Sequence, residues 1–271
     1  MNFRVIIPAR RGSTRLAHKP LADIAGQPMI WRTVQRARQS TATEVLVATD
    51  CPEIHRVVTA AGGVALMTSS KHRSGTDRLA EVADLKNLDD HAILVNLQGD
   101  EPLMPPPLID QVAQALHRNP HCDCATLCTP IRTKGTFFDP AAVKVTRTES
   151  AEALYFSRAP IPFPRDQMPQ LTTLADDAPL PPGLTAYRHI GLYAYRVALL
   201  RRFTAWPPAT SERTESLEQL RILAHGGRIH VAQAALPAPA GVDTAEDLER
   251  IRRLFTSGQA ATAQAANPAN Q

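Results

Sequence analysis

Four cations lie within ten residues near the start of the chain, in the stretch VIIPARRGSTRLAHKP. An apolar run ends at Pro8, and Arg10, Arg11, Arg15 and Lys19 follow it, interleaved with one glycine and two hydroxyl residues. Backbone N–H groups of such a turn, together with Arg and Lys side chains, can cradle phosphate groups. A solvated basic turn is the alternative, but it gives no reason to combine these residue types. Because GxxxxGK[ST] and GxGxxG are both absent, the stretch predicts a phosphate loop of another kind.

Carboxylates form the second group of residues that could do chemistry. Asp100 and Glu101 directly follow the apolar run AILVNLQG. At the carboxyl end of a strand, facing a phosphate loop, such side chains are suited to hold Mg²⁺; the alternative is a turn in which Asp100 caps a backbone amide. Asp243 stands just before a TxxD capping box, which leaves this carboxylate unexplained. Asp100 and Asp243 are therefore the candidate metal ligands.

Two further segments have both a structural and a functional interpretation. In HRSGTDRLAE, Ser74 and Asp77 have the spacing of a capping box, which explains them as a helix start. The alternative is that the backbone around Ser74 approaches a flat ligand such as a base. Glu215 and Glu218 in ERTESLEQLRIL are explained equally well as the exposed face of an amphipathic helix.

Alternating strand and helix patterns must position these groups. The runs FRVIIP, EVLVATD, AILVNLQGD and AVKVTR read as strands, and PMIWRTVQRARQS, CPEIHRVVTAAG and GTDRLAEVADLKNL read as helices between them. Continuous apolar strands indicate a parallel sheet that helices cover on both faces. The sequence therefore predicts an α/β fold whose ligands bind beyond the carboxyl ends of the strands.

The pattern changes in the second half of the chain. A proline-rich stretch over 159–183 is incompatible with a long regular helix or a central strand and suggests a lid. TAYRHIGLYAY then alternates, so one face carries His189, Gly191, Tyr193 and Tyr195. Helices are predicted from about Glu212 to His225 and from Thr244 to about Phe255. We expect one domain over 1–256, an excursion for a lid or dimer contact over about 159–195, and a disordered tail over 257–271.

Composition and charge narrow the class of ligand. Hydrophobic residues make up 44% and charged residues 21%, as in ordinary soluble proteins. Residues 1–40 hold eight Arg or Lys against one acid, a formal charge of +7, which leaves −3 for the rest of the net +4. With only 5% aromatic residues, this concentrated charge favours a small anion over nucleic acid. We expect no membrane insertion and a cytoplasmic location, because no apolar run is long enough to span a membrane and the N-terminus lacks signal-peptide features.

The four cysteines do not predict a metal site. Cys51, Cys122, Cys124 and Cys128 lack CxxC spacing and a nearby cluster of histidines. We expect reduced, buried thiols.

Eight segments occur in the order of one known family: IIPARRGSTRLAHKPL, SGTDRLAEV, VNLQGDEP, AVKVTR, LYFSRAPIP, RHIGLYAYR, LEQLRIL and GVDTAEDLERIR. Together they resemble the 3-deoxy-manno-octulosonate cytidylyltransferases, over about residues 3–254. The resemblance implies a Rossmann-like nucleotidyltransferase fold with a mostly parallel sheet, a homodimer and dependence on Mg²⁺. It also implies transfer of CMP from CTP to the eight-carbon sugar acid KDO, for lipopolysaccharide assembly.

The resemblance also implies roles for individual residues. Arg10 and Lys19 would hold the CTP phosphates, with Ala9, Arg15, Ser74 and Gln98 also near the nucleotide, while Asp100 and Asp243 would hold the metal. The residues that bind the sugar acid would be Gln98, Arg158, His189, Tyr193, Glu218 and Gln219.

The chain departs from the family pattern in its opening loop. Arg11 and Gly12 stand where an aromatic residue and alanine are usual, and LAHKP replaces LPGKP. The nearest rival is the CMP-sialic acid synthetases, whose opening resembles PARGGSKxxxxKN; STRL favours the KDO family instead. A regulatory module that binds CTP without turning it over is the alternative from another class, and it would be expected to lack the carboxylates and sugar-site residues that are present here.

Overall fold

A computed structural model describes residues 1–10, 18–72 and 74–257. Its strands are β1 (Phe3–Ala9), β2 (Asp23–Ile24), β3 (Gln27–Pro28), β4 (Glu44–Thr49), β5 (Val64–Met67), β6 (Ile93–Asn96), β7 (Cys124–Pro130), β8 (Lys144–Arg147), β9 (Ala153–Ser157), β10 (Tyr187–Arg196) and β11 (Ile229–Gln233). Its α-helices are α1 (Met29–Ala37), α2 (Pro52–Ala60), α3 (Gly75–Leu85), α4 (Pro106–Arg118), α5 (Lys134–Phe138), α6 (Met168–Leu171), α7 (Val197–Ala205), α8 (Thr210–Glu215), α9 (Gln219–Ala224) and α10 (Ala245–Thr256). A short 3-10 turn spans Lys19–Leu21.

The main sheet has the strand order β11-β7-β10-β6-β1-β4-β5, with β8 and β9 attached as a hairpin beside β10. β1 pairs in parallel with β4 and β6. β4 also pairs in parallel with β5, and β11 pairs in parallel with β7. β10 is antiparallel to both β6 and β7, so the sheet is mostly rather than wholly parallel. The expected α/β fold is confirmed.

Apolar packing on both faces of this sheet explains its continuous apolar strands. In β1, Val5 and Ile7 enter one buried cluster and Ile6 enters the other, and all three side chains are inaccessible to solvent. A strand buried on both faces has no position left for a solvent-facing polar residue. The same reason makes Asn96, at the end of the buried strand β6, an unusual residue.

The proline-rich excursion is shorter than its expected 159–195 range. β10 lies inside the main sheet, so the part that leaves the sheet runs from 158 to 186. That part contains one short helix, α6, and packs on a small apolar cluster formed by Ile131, Phe137, Leu171 and Ala186.

One predicted helix is wrong in its extent. The expected helix from Glu212 to His225 is divided into α8 and α9, because Ser216 has a left-handed φ of 52°. The helix from Thr244 is confirmed, with its capping box in place. Because of the division, Glu218 and Gln219 lie at the start of a new helix.

None of the described helices combines the length and apolar character needed to cross a membrane. All four cysteines are buried and free of disulfides, as expected from their sequence context. The C-terminal tail predicted to be disordered covers 257–271, and all of it except residue 257 lies outside the described residues.

Candidate active site

The ammonium of Lys19 lies between two aspartates that are remote from each other in sequence. Its Nζ is 2.6 Å from Asp100 Oδ2 and 3.2 Å from Asp243 Oδ1. Lys19 is only 9% exposed, so this cation is held in a fixed place against its partners. The structure thus brings together three of the residues that the sequence analysis singled out for phosphate and metal binding.

Local backbone structure positions both aspartates. Asp100 follows β6, and its carbonyl oxygen accepts a 2.9 Å hydrogen bond from the N–H of Val242, which fixes the segment before Asp243. The backbone N–H of Asp243 donates to the Asp247 carboxylate at 3.1 Å, as part of the cap of α10. The capping box therefore fixes the backbone at Asp243, while Thr244 and Asp247 supply the side chains that cap the helix.

Glu101 adds a third carboxylate to this region. Burial, followed by the charges of Asp100 and Asp243, raises its pKa to about 8, against the opposing influence of Arg188 and Lys19. A Cβ atom on Gly241 would lie 3.0 Å from Glu101 Oε1, so the two segments approach closely. Asp100 and Asp243, which share the Lys19 ammonium, offer the oxygen ligands that a hard divalent cation such as Mg²⁺ prefers, while Glu101 lies near them without completing a group of three whose ligand atoms are all within 4.8 Å.

A cavity of about 240 Å³ is lined in part by Gln98, which lies two residues before Asp100 in the chain. Residues of β6, β10, α3, α7 and α9, with Gln98 after β6 and Glu218 just before α9, form its wall: Gly75, Thr76, Asn96, Gln98, His189, Gly191, Tyr193, Tyr195, Phe203, Glu218, Gln219 and Ile222. Five of the six predicted sugar-side residues are in this set. The alternating face of β10 contributes all four of its predicted members.

Aromatic contacts order the β10 wall of the cavity. Tyr193 stacks on Tyr195 with ring centroids 5.4 Å apart, and His189 lies 5.2 Å from Tyr193 on the other side. Burial and then the charge of Arg188 lower the pKa of His189 to about 3, so its imidazole is neutral at physiological pH. Its Nε2 is 3.0 Å from Thr126 Oγ1, which restricts the ring orientation.

Glu218 connects the two segments whose roles were open. Burial raises the pKa of its carboxyl group, and hydrogen bonds from Thr76 and Ser74 oppose that rise. Ser74 also caps α3, accepting a 3.1 Å hydrogen bond from the N–H of Asp77. The helix-start interpretation of Ser74 is therefore confirmed, and the neighbouring Gly75 and Thr76 line the cavity, while an approach of this backbone to a flat ligand stays a prediction.

Pro8 joins three segments at the end of β1. A Cβ atom on Gly99 would lie 3.2 Å from the Pro8 carbonyl oxygen, and one on Gly75 would lie 3.3 Å from the Pro8 ring. Glycine at both positions permits this approach. The start of the predicted phosphate loop consequently lies against the Ser74 segment and the Asp100 segment.

Some predicted site residues are placed differently. Arg158 does not line the cavity: its Nε donates to the Glu215 carbonyl oxygen at 2.8 Å, and its Nη1 donates to the Pro140 carbonyl oxygen at 2.9 Å. In this structure it is an anchor for the segment before Glu218 rather than a cavity residue. Ala9 is buried at the end of β1 and Arg10 is exposed just after it. Arg15 lies outside the described residues.

Comparison with known proteins decides the family. The family model described as Cytidylyltransferase matches residues 4–229. A 3-deoxy-manno-octulosonate cytidylyltransferase of Hahella chejuensis is 54% identical over 241 residues, covering 89% of this chain and 92% of the relative. One of Cellvibrio japonicus is 52% identical over 245 residues, covering 90% and 94%. The chain belongs to this family. The resemblance drawn from its motifs is thereby confirmed.

Solved structures agree with this family of cytidylyltransferases. A CMP:2-keto-3-deoxy-manno-octonic acid synthetase complexed with CTP superposes with a TM-score of 0.84 at 40% identity, covering 95% of this chain and 99% of that one. A cytidylyltransferase from Leptospira borgpetersenii has a TM-score of 0.55 at 15% identity, which supports the fold alone.

Sequence reasoning missed one notable residue in the cavity wall of this cytidylyltransferase. Asn96 is 3% exposed, lies opposite Tyr193 in the sheet, and has no hydrogen-bond partner for its Oδ1 among the described residues. A buried acceptor without a partner costs about 1–3 kcal/mol, so a ligand donor is the natural complement. The available signal was a polar residue at the end of an otherwise apolar run, ILVN.

Proposed function

We propose that this protein transfers CMP from CTP to KDO, giving CMP-KDO and pyrophosphate. The observation that carries the proposal is the Lys19 ammonium held between Asp100 and Asp243, with Asp100 two residues after Gln98, which lines the cavity. Membership in the cytidylyltransferase family and the likeness to a CTP complex support the choice of both substrates. A cation and carboxylates, together with a cavity whose wall includes His189, Glu218 and Gln219, suit a triphosphate that reacts with a sugar.

The nucleotide would bind at the end of β1. Ala9 and Arg10 begin the loop, and Lys19 closes it with an ammonium that can contact phosphate oxygens. Arg15 belongs to the same proposed set. The Ser74 segment, held against Pro8, offers backbone for the cytosine ring. This arrangement supports binding of CTP across the carboxyl ends of β1 and β6.

Asp100 and Asp243 would hold Mg²⁺, for which their converging oxygens are suitable ligands. When bound, the ion would neutralise phosphate charge and make the attacking hydroxyl easier to deprotonate. Lys19 keeps the two carboxylates together and supplies a fixed positive charge beside them.

The sugar acid would occupy the cavity. Neutral His189 can both donate and accept hydrogen bonds, while Glu218 and Gln219 can bind hydroxyl groups. Tyr193 and Asn96 add polar atoms to the same wall. Held there, the anomeric hydroxyl would attack the α-phosphorus in line. A new sugar O–P bond forms, the bond to the β-phosphate oxygen breaks, the hydroxyl proton passes to solvent, and pyrophosphate leaves. Catalysis then rests on positioning and charge neutralisation.

We also propose a cytoplasmic homodimer that serves lipopolysaccharide assembly, without nucleic acid or membrane insertion. Exposed apolar side chains on β9 and the excursion support self-association: Leu154 is 60% exposed and Phe163 is 64% exposed. Size measurement in solution, with Leu154→Ser and Phe163→Ser weakening the dimer, tests this part.

Pyrophosphate release tests the main proposal. The protein is incubated with CTP, Mg²⁺ and KDO, and each component is omitted in turn. We expect release only from the complete mixture, and little when sialic acid replaces KDO. Lys19→Met should remove activity, while Lys86→Met, which removes a lysine paired with Glu44 elsewhere, should retain it. CTP binding without turnover would instead indicate a nucleotide-binding module, and preference for sialic acid would overturn the choice of sugar.

A further inference from the structure

Three metal-ligating side chains meet at one edge of the sheet, away from the candidate active site. His121, Cys122 and Glu152 each offer one ligand atom, and these atoms all lie within 4.8 Å of one another. His121 Nε2 is 3.2 Å from Glu152 Oε1. Among the described residues this is the one group of at least three His, Cys, Asp or Glu side chains with such spacing.

The cluster lies at the opposite ends of the strands from Lys19 and Asp100. β6 and β7 are both antiparallel to β10 and therefore run in the same direction. Cys122 stands just before β7, at its amino end, whereas Asp100 follows the carboxyl end of β6. The two groups are consequently separate sites.

His230 provides a second, independent observation at the same place. It forms a β-bridge with Glu152, so their side chains are neighbours on the sheet. Its Nδ1 is buried and has no hydrogen-bond partner among the described residues. A buried imidazole nitrogen in its neutral form is available as a metal ligand.

The chemistry of the group selects a metal class. One thiol, two imidazoles and one carboxylate are the ligand types of Zn²⁺, whereas Mg²⁺ prefers oxygen ligands alone. Cys122 is 1% exposed, and burial, with Glu152 and Asp123 nearby, raises the pKa of its thiol to about 11. A bound divalent cation favours the thiolate over the thiol.

We propose that His121, Cys122 and Glu152 bind Zn²⁺, and that His230, whose ring nitrogens lie outside the 4.8 Å group as it stands, turns in as the fourth ligand, so that the site joins the start of β7 to β9 and β11. Binding forms a Zn–S bond and releases the thiol proton to solvent. The ion would fasten together three segments that come from distant parts of the chain. Its role is structural, since no substrate group of the proposed reaction lies there. Cysteine spacing did not predict the site because Glu152 and His230 come from other strands.

Cobalt(II) is the probe that distinguishes this site from the carboxylates around Asp100. The full chain is treated with a chelator, dialysed, and titrated with Co²⁺ and then with Zn²⁺. We expect a thiolate-to-cobalt charge-transfer band that Zn²⁺ displaces; Co²⁺ bound by Asp100 and Asp243 gives no such band because their oxygens are the only ligands there.

Variants locate the band. Cys122→Ser should abolish it, and His121→Ala, a change at an exposed residue, should weaken Co²⁺ affinity at least about tenfold. Cys128→Ser, which removes another buried thiol, should retain the band. Pyrophosphate release should persist in His121→Ala. Absence of the band in the unaltered protein, or its full retention in both Cys122→Ser and His121→Ala, would overturn the proposal.

Discussion

Lys19 and Asp243 are 224 residues apart in sequence, yet Lys19 Nζ lies 3.2 Å from Asp243 Oδ1. Asp100 completes the contact from a third part of the chain. A lysine that is 9% exposed between two carboxylates holds the loop after β1 against the segments after β6 and before α10. Changes in this group should therefore disturb the alignment of these three segments, on which the proposed catalysis depends.

Asp100→Ala should remove most pyrophosphate release while CTP binding partly survives. The variant loses one proposed metal ligand, but Lys19 keeps its contact with Asp243 and remains available to phosphate. Release at saturating Mg²⁺ and CTP binding by calorimetry measure the two effects. Asp166→Ala, which removes an exposed carboxylate in the excursion, is the matched control. Near-normal turnover of Asp100→Ala would refute the metal assignment.

His189→Gln should change how stability depends on pH. The folded-state pKa of His189 is about 3 and its ordinary value is 6.5, so between these values the unfolded chain binds the proton more strongly. His189 therefore contributes stability that is present above pH 6.5 and is lost as pH falls towards 3. Urea unfolding at pH 7 and pH 4 should show a smaller loss for the variant than for the unaltered protein. Equal losses would mean that His189 is not buried in the neutral form.

Asn96→Leu should separate binding from stability. The substitution removes an unpartnered buried acceptor at similar volume but also the side-chain hydrogen bond between Asn96 and Tyr195, so the two effects oppose each other and the melting temperature should change little. If Asn96 Oδ1 binds a substrate donor, kcat/KM for KDO should fall about tenfold or more, as expected for one lost hydrogen bond of about 1.5 kcal/mol. Asn119→Leu, at the end of α4, serves as control. Unchanged kinetics would exclude contact between Asn96 and substrate.

Arg158→Lys distinguishes an anchor from a substrate ligand. The guanidinium holds the carbonyl oxygens of Glu215 and Pro140, and lysine cannot reproduce this forked contact. We expect a lower melting temperature and only a modest rise in KM. A large rise in KM for KDO at unchanged melting temperature would instead favour the sugar-binding role that the family resemblance implied for Arg158.

Patterns that act over a few residues were readable from the sequence alone. The apolar runs predicted β1, β4 and β6, and the alternation in TAYRHIGLYAY predicted the cavity face of β10. The Ser74 and Thr244 capping boxes form as expected. These features depend on the period of side chains along a strand or helix and on local hydrogen bonds, which neighbouring residues determine. The ordered motifs, which the sequence also carries, identified the family.

Contacts between distant segments depended on the tertiary structure. Strand order and direction decide that Lys19 meets Asp100 and Asp243, that Arg158 is held by backbone oxygens, and that His121 and Cys122 meet Glu152. The break at Ser216 likewise places Glu218 in the cavity wall, although an unbroken helix fitted the local pattern. The periodicity of a short segment does not determine which strands will pair, because strand pairing depends on burying the apolar side chains on both faces of the whole sheet.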